Sequence, residues 1–244
     1  MTITVQQIQY TTEPDAWHAL AVALGLDPVP GGDDSWSEFA GDGLLAVHRV
    51  ATTADERTEI TLRTDDLDAL AATLTTVGAV FRRVDTDDLG TILVVDAPIA
   101  CTVTTTSAAV ASAVSAAVSA ASASGSGLTV LPVWYGQDLD GPAAVLEALS
   151  LRRRLSSDSG VWIDFTAAGG GGVALHRADR TGVELSFEYG GDLDALAARL
   201  RSGGWTGSVV DEAYNRTLRV ARPDGPDLWV NGRQDDLYGY TRAI

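Results

Sequence analysis

Apolar and polar side chains alternate through residues 2–10, which predicts a strand, and the period then lengthens. Ala16, Ala19, Leu20, Ala23 and Leu24 recur at helical spacing, with Thr12, Pro14 and Asp15 as start signals and Gly25 as a stop. Residues 36–40 and 44–50 read as two strands joined by a turn at Gly41-Asp42-Gly43. In the next strand Ile60 and Leu62 share one face while Glu59, Thr61 and Arg63 share the other, the mark of a sheet with one apolar and one wetter side. A helix capped by Asp65 or Asp66 then turns Leu67, Leu70, Ala71 and Leu74 toward a core, and strands follow at 80–84, 91–95 and 101–105.

The second half repeats this order. Strands are expected at 128–135, 160–166, 173–178 and 183–189, with a helix from Asp140 through Ala148 to Leu151 after the first of them. A helix at 192–201 and strands at 205–214, 217–221 and 227–231 complete it. The copies share sequence as well as pattern: AVHR at His48 and ALHR at His176, a following strand carrying Glu59 or Glu184, and then DLDALAA in both. Their spacings differ only where loops are expected, as in Gly169 to Gly172, which reads as a turn between strands and not as a phosphate cradle. Between the halves lies an Ala/Ser-rich stretch, 107–127. Its front predicts a short, loosely packed helix with Val110, Val114 and Val118 stacked along one side, and its tail from Ser122 a flexible linker.

Charge narrows the function. Thirty-three acids oppose 17 bases, a net charge of -16, which disfavours nucleic acid as a partner unless a local basic patch exists. Arg152, Arg153 and Arg154 form one such run, read as a solvated face at a helix C-terminus. Every base is arginine, so Schiff-base and P-loop lysine chemistry are excluded. The single cysteine, Cys101, reads as a small apolar strand residue. No membrane span or leader pattern is evident, and a cytoplasmic location without membrane partners is the expectation.

The twice-repeated strand-helix-strand-strand-strand order, the duplicated AVHR/ALHR and DLDALAA runs, and the closing phrase Arg222-Pro223-Asp224-Gly225-Pro226-Asp227-Leu228 together resemble the vicinal oxygen chelate superfamily of glyoxalases, bleomycin-resistance proteins and extradiol dioxygenases. The resemblance implies an α+β fold of two tandem domains, 1–106 and 128–244. Each would hold two such modules forming a cupped mixed sheet with helices on the outside. Alternation places Trp36, Glu38, His48 and Glu59 in one cup, and Trp162, Asp164, His176 and Glu184 in the other, where Trp229 joins them.

Metal-dependent members of that superfamily take one ligand from the first and last strand of each module. His48, Glu59, His176 and Glu184 would supply half of two such sets. The remaining positions offer Val5, Gln7, Gln9 and Cys101 or Thr102 in one half, and the neighbourhood of Val130 and Trp229 in the other. No cofactor is assigned on this basis, and a divalent metal stays open. The leading expectation is a binder of small apolar or aromatic molecules, monomeric with paired domains or homodimeric. A divalent-metal-dependent lyase, isomerase or dioxygenase is the alternative, and a pocketless interaction scaffold comes third, so enzymatic activity is left undecided.

Overall fold

The computed structural model describes residues 2–87, 89–124, 127–212 and 215–243, with only the backbone at 121–124. The linker tail at Gly125 and Ser126, and the end of the expected 205–214 strand at Ala213 and Tyr214, lie outside the described residues.

The first unit runs β1 (Ile3–Thr11), α1 (Pro14–Leu24), β2 (Asp27–Val29), β3 (Trp36–Gly41), β4 (Gly43–Arg49), β5 (Arg57–Thr64), α2 (Leu67–Thr76), β6 (Val80–Thr86), β7 (Gly90–Ala97) and β8 (Cys101–Thr105). These strands form one eight-stranded sheet ordered β2-β3-β4-β1-β5-β8-β7-β6. The opening strands of the two modules lie side by side at its centre, antiparallel, with Ile8 opposite Glu59. β1 also runs parallel to β4, setting Tyr10 opposite His48. Asp66 caps α2 through the Ala69 amide at 2.9 Å.

After α3 (Ala108–Ser124), the second unit runs β9 (Leu128–Val130), β10 (Val133–Gly136), α4 (Asp140–Ala148), β11 (Arg152–Ser157), β12 (Trp162–Thr166), β13 (Gly172–Arg177), β14 (Gly182–Glu184), β15 (Ser186–Tyr189), α5 (Leu193–Ser202), β16 (Gly207–Asp211), β17 (Arg216–Val220), β18 (Leu228–Gly232) and β19 (Tyr240–Arg242). Here the central pair is broken. The expected strands at 128–135 and 183–189 each split in two, giving sheets ordered β14-β10-β13-β12-β11-β19 and β16-β17-β18-β15-β9. Pro132 sits at the break and has no amide to give the ladder. Gln7 of the first unit fills in: its side-chain amide donates to the Ser186 carbonyl at 3.2 Å and accepts from the Ser186 amide at 3.3 Å.

One apolar cluster joins the helix-side faces of both units, from Ile3, Val5, Leu45 and Ile60 to Val130, Leu175, Phe187 and Val230. The run Gly169 to Gly172 docks on the first unit. Gly169 donates to the Ile3 carbonyl at 2.7 Å, and Gly170 accepts from the Val5 amide at 2.9 Å. A Cβ on Gly171 would come within 2.9 Å of the Val5 Cβ, and one on Gly43 within 2.9 Å of Gly171, so this seam requires glycine on both sides. The closing phrase docks too: Asp224 accepts from the Trp17 indole at 2.9 Å, and Arg199 of α5 donates to the Leu24 carbonyl at the end of α1 at 3.0 Å.

Two helix expectations change. Arg152, Arg153 and Arg154 stand on β11 and not at a helix end. The chain leaves α4 through Ser150 in a left-handed conformation, φ 66°, a stop for which a serine gives no sequence signal. α3 is neither short nor loose. It spans 17 residues and buries Val110, Val114 and Ala117 against Val29, Ala40 and Leu44. Each buried valine contributes up to about 1.5–3 kcal/mol, an upper bound because the unfolded chain already hides some surface. Val29, Ala40 and Leu44 belong to the face carrying Glu38 and Ala46, so α3 covers one end of the first cup.

Candidate functional site

The break at Pro132 and Leu185 opens the second sheet into a cavity of about 420 Å³. Its floor is apolar, made by Leu131 and Val133, with Tyr135 and Trp162 packed against them. Trp162, Asp164, His176, Glu184 and Trp229 all border this one cavity, together with Arg154, Glu188, Glu212 and Tyr240. Trp229 keeps 38% of its surface exposed at the rim.

The polar residues fall into two groups. In the deeper one, Arg154 holds two carboxylates at once: it reaches both Asp164 oxygens at 2.9 Å and both Glu188 oxygens at 2.7 Å. Asp164 also accepts from the Leu155 amide at 3.2 Å and the Trp162 indole at 3.2 Å. These hydrogen bonds hold the Arg154 guanidinium well above its ordinary pKa despite its burial. Close by, Asn231 links Ser186 and Thr217 at 3.2 and 2.9 Å.

The outer group is repeated in both cups. Tyr135 donates to Glu184 at 3.1 Å, Arg180 pairs with Glu184 at 2.5 Å, and the Arg180 guanidinium lies 3.9 Å over the Tyr135 ring. In the first unit Tyr10, Glu59 and Arg57 do the same at 3.1, 2.7 and 3.7 Å. His176 meets Trp162 and Tyr135 at ring-centroid distances of 5.9 and 5.4 Å, and His48 meets Trp36 and Tyr10 at 5.7 and 5.1 Å. The Nδ1 of His176 lies 2.9 Å from the Arg177 carbonyl, which only accepts. A proton therefore sits on Nδ1, and in the neutral ring Nε2 is left as an acceptor. Both histidines are half-buried, so the full burial expected of a pocketless scaffold is not met.

Glu38 of the first cup meets Arg63 and accepts from Gln6 at 2.7 Å. The arginine of this buried pair comes from β5, whereas Arg154 comes from β11, so the two cups build related ion clusters from different strands. Burial and the neighbouring Glu59 push the Tyr10 phenol up to about 12.

Tyr10, Tyr135, Arg57 and Arg180 stand in no motif of the sequence, yet a signal exists. Tyr10 and Glu59 are 49 residues apart, and so are Tyr135 and Glu184. The faces of the opening strands need correction. Val5 and Val130 belong to the helix-side core, Gln7 reaches across the seam and Gln9 bonds Tyr10, Thr58 and Asp224. The cup-facing residues are Gln6 and Tyr10 in one half and Leu131, Val133 and Tyr135 in the other. Cys101 is core, and burial pushes its thiol up to about 12; Thr102 bonds Thr61 at 2.7 Å.

This donor set does not fit a divalent metal. β10 lies between β13 and β14, so Tyr135 stands between His176 and Glu184, and Glu184 is already engaged by Tyr135 at 3.1 Å and Arg180 at 2.5 Å. The other cup-facing positions on the opening and closing strands are Leu131, Val133, Trp229 and Asn231, and among the described residues no three His, Cys, Asp or Glu side chains converge.

Neither a protein-family model nor a curated protein sequence matches the chain significantly. Solved structures do. A catechol 2,3-dioxygenase aligns over 100% of this chain and 96% of its own, with a TM-score of 0.62 at 13% identity. Homoprotocatechuate 2,3-dioxygenase from Brevibacterium fuscum, in complex with 3,4-dihydroxyphenylacetate, aligns over 96% of this chain and 81% of its own, with a TM-score of 0.62 at 13% identity. The enzyme of the same name from Arthrobacter globiformis covers 95% and 79%, with a TM-score of 0.59 at 14% identity. At such identities the likeness carries the architecture and not the chemistry. The chain has the two-domain α+β fold of the extradiol dioxygenases.

Proposed function

We propose that the second cup binds a small aromatic or apolar molecule, without a chelated metal. The observation that carries this reading is the cavity itself: an apolar floor under Trp162, Tyr135 and Trp229, with a few fixed polar groups, is the composition of a small-molecule site. In this reading Trp162 and Trp229 pack on the ligand, and His176 Nε2 and Glu184 orient it. The first cup carries the counterparts Trp36, Glu38, His48 and Glu59, but α3 covers part of it, so binding is assigned to the second.

Charge refines the ligand. Asp164 and Glu188 share one arginine, Glu184 is matched by Arg180, and Glu212 has no ion-pair partner among the described residues. Carboxylates therefore outnumber guanidiniums around the cavity, which favours a neutral or cationic aromatic over an aromatic acid. Thermal shift with dopamine, catechol and 3,4-dihydroxyphenylacetate tests the order: the amine and the neutral diol stabilise, and the acid does not. Stabilisation by the acid alone would overturn the charge argument.

The alternative, metal-dependent dioxygenase chemistry, is favoured by the structural neighbours and opposed by the donor set. Elemental analysis after reconstitution with ferrous or manganous ion decides it, and a stoichiometric, tightly held ion would contradict our reading. We further propose that the units divide at 1–106 and 128–244, which limited proteolysis between them checks.

A further inference from the structure

A second concavity of about 520 Å³ lies behind the cup, bordered by Arg152, Arg153, Arg154, Arg233 and Arg242. Glu147 is the one acid along it, and Arg153 already engages it at 3.1 Å. On a chain of net charge -16, five of the 17 arginines border this single groove. Its charge is opposite in sign to the chain's net charge.

The fold explains how consecutive arginines border one groove. A strand normally sends neighbouring side chains to opposite faces, but the register of β11 against β12 shifts between Arg153 and Leu155. β19 then pairs with β11, setting Arg242 opposite Leu155, and the chain leaving β18 brings Arg233, whose amide bonds the Tyr189 carbonyl at 3.2 Å. Three separate segments thus converge their cations.

Most arginines here find carboxylates. Arg152 and Arg242, like Arg177 and Arg201 elsewhere, do not: neither has an ion-pair or hydrogen-bond partner for its side chain among the described residues, although the sequence holds 33 acids. The contact from Arg233 to Asp235, 3.8 Å between exposed groups, is screened by solvent. Clustered like charges oppose folding unless a counter-charge relieves them, and guanidinium forks match oxyanions in geometry as well as charge.

We infer that this groove binds a small multivalent oxyanion, a phosphorylated or polycarboxylate molecule, between Arg152, Arg242 and Arg233. A long polyanion is disfavoured, because beyond the groove it meets a chain of net charge -16. Arg154 and Leu155 line both this groove and the cup, but the inference does not depend on what the cup binds.

The test is calorimetric titration of the full chain with pyrophosphate and, separately, citrate, at fixed ionic strength. At least one anion binds saturably, and R152A and R242A each weaken it about tenfold, the loss of one charge-assisted bidentate contact. R82A, a distant exposed arginine paired with Asp96, binds as wild type. R152Q serves if R152A fails to fold. Saturation by pyrophosphate alone selects phosphoryl chemistry within the proposal. Absence of saturation by both anions, unchanged affinity in the Arg152 and Arg242 variants, or an equal loss in R82A overturns it.

Discussion

Replacing Arg154 with alanine removes the one cation between two carboxylates. The Asp164 side chain is 2% exposed and that of Glu188 11%, so the four charge-assisted bonds are lost from a largely buried site. Breaking a buried pair by deleting one partner costs about 3–5 kcal/mol, because a buried charge is left uncompensated. For a chain of this size, about 2–4 °C per kcal/mol converts that loss to a fall in apparent Tm of roughly 6–20 °C. Urea denaturation of wild type and R154A at pH 7 measures it, and D164N added to R154A should recover part of the loss. A difference below about 1 kcal/mol would refute the claim that Arg154 bridges a buried acid pair.

Other perturbations probe other parts of the fold. Tyr10 keeps its proton in the folded state to a pH of about 12, against about 10 unfolded, so stability falls as pH rises through that window. Its partial exposure limits the effect to about 1–2 kcal/mol, and Y10F should lose less between pH 9 and pH 11; an equal loss in both proteins would contradict the assignment. Val114 is 3% exposed under α3, so V114D should cost about 2–4 kcal/mol and raise binding of a hydrophobic dye, while S115D on the solvent side changes little. Chemical denaturation with dye fluorescence compares them. Cys101, with its thiol pushed up to about 12, should resist a thiol reagent at pH 8 in the native protein and react on unfolding; rapid native labelling would contradict its burial.

Much of this fold is written in period and repetition. The alternation at Ile60 and Leu62 against Glu59 and Arg63, and the DLDALAA helices, sorted core from cup because each choice buries or exposes whole faces. β11 was illegible because its helix stop is a left-handed serine, and the split central strands because only the fold shows where a single proline opens the ladder. Faces assigned from Val5 and Val130 came out reversed, since glutamines such as Gln7 and Gln9 look solvent-facing yet are fully buried at the seam. α3 is alanine-rich, and its tertiary partners Val29, Ala40 and Leu44 lie far away in sequence. The Tyr-Glu-Arg clusters were recoverable by comparing separations in the two copies. The arginine bridge was not, because the two units place that arginine on different strands.

The central claim is that the second cup takes a small aromatic molecule through its own side chains, without a metal. Titration of dopamine into chelator-treated protein, with wild type compared against W229A, W162A and W36A, tests it most directly. The account predicts binding that survives chelation, weakens about tenfold in W229A and W162A on loss of an aromatic contact, and is unchanged in W36A of the first cup. Binding that appears only after a divalent ion is restored, or that falls equally in all three variants, would contradict it.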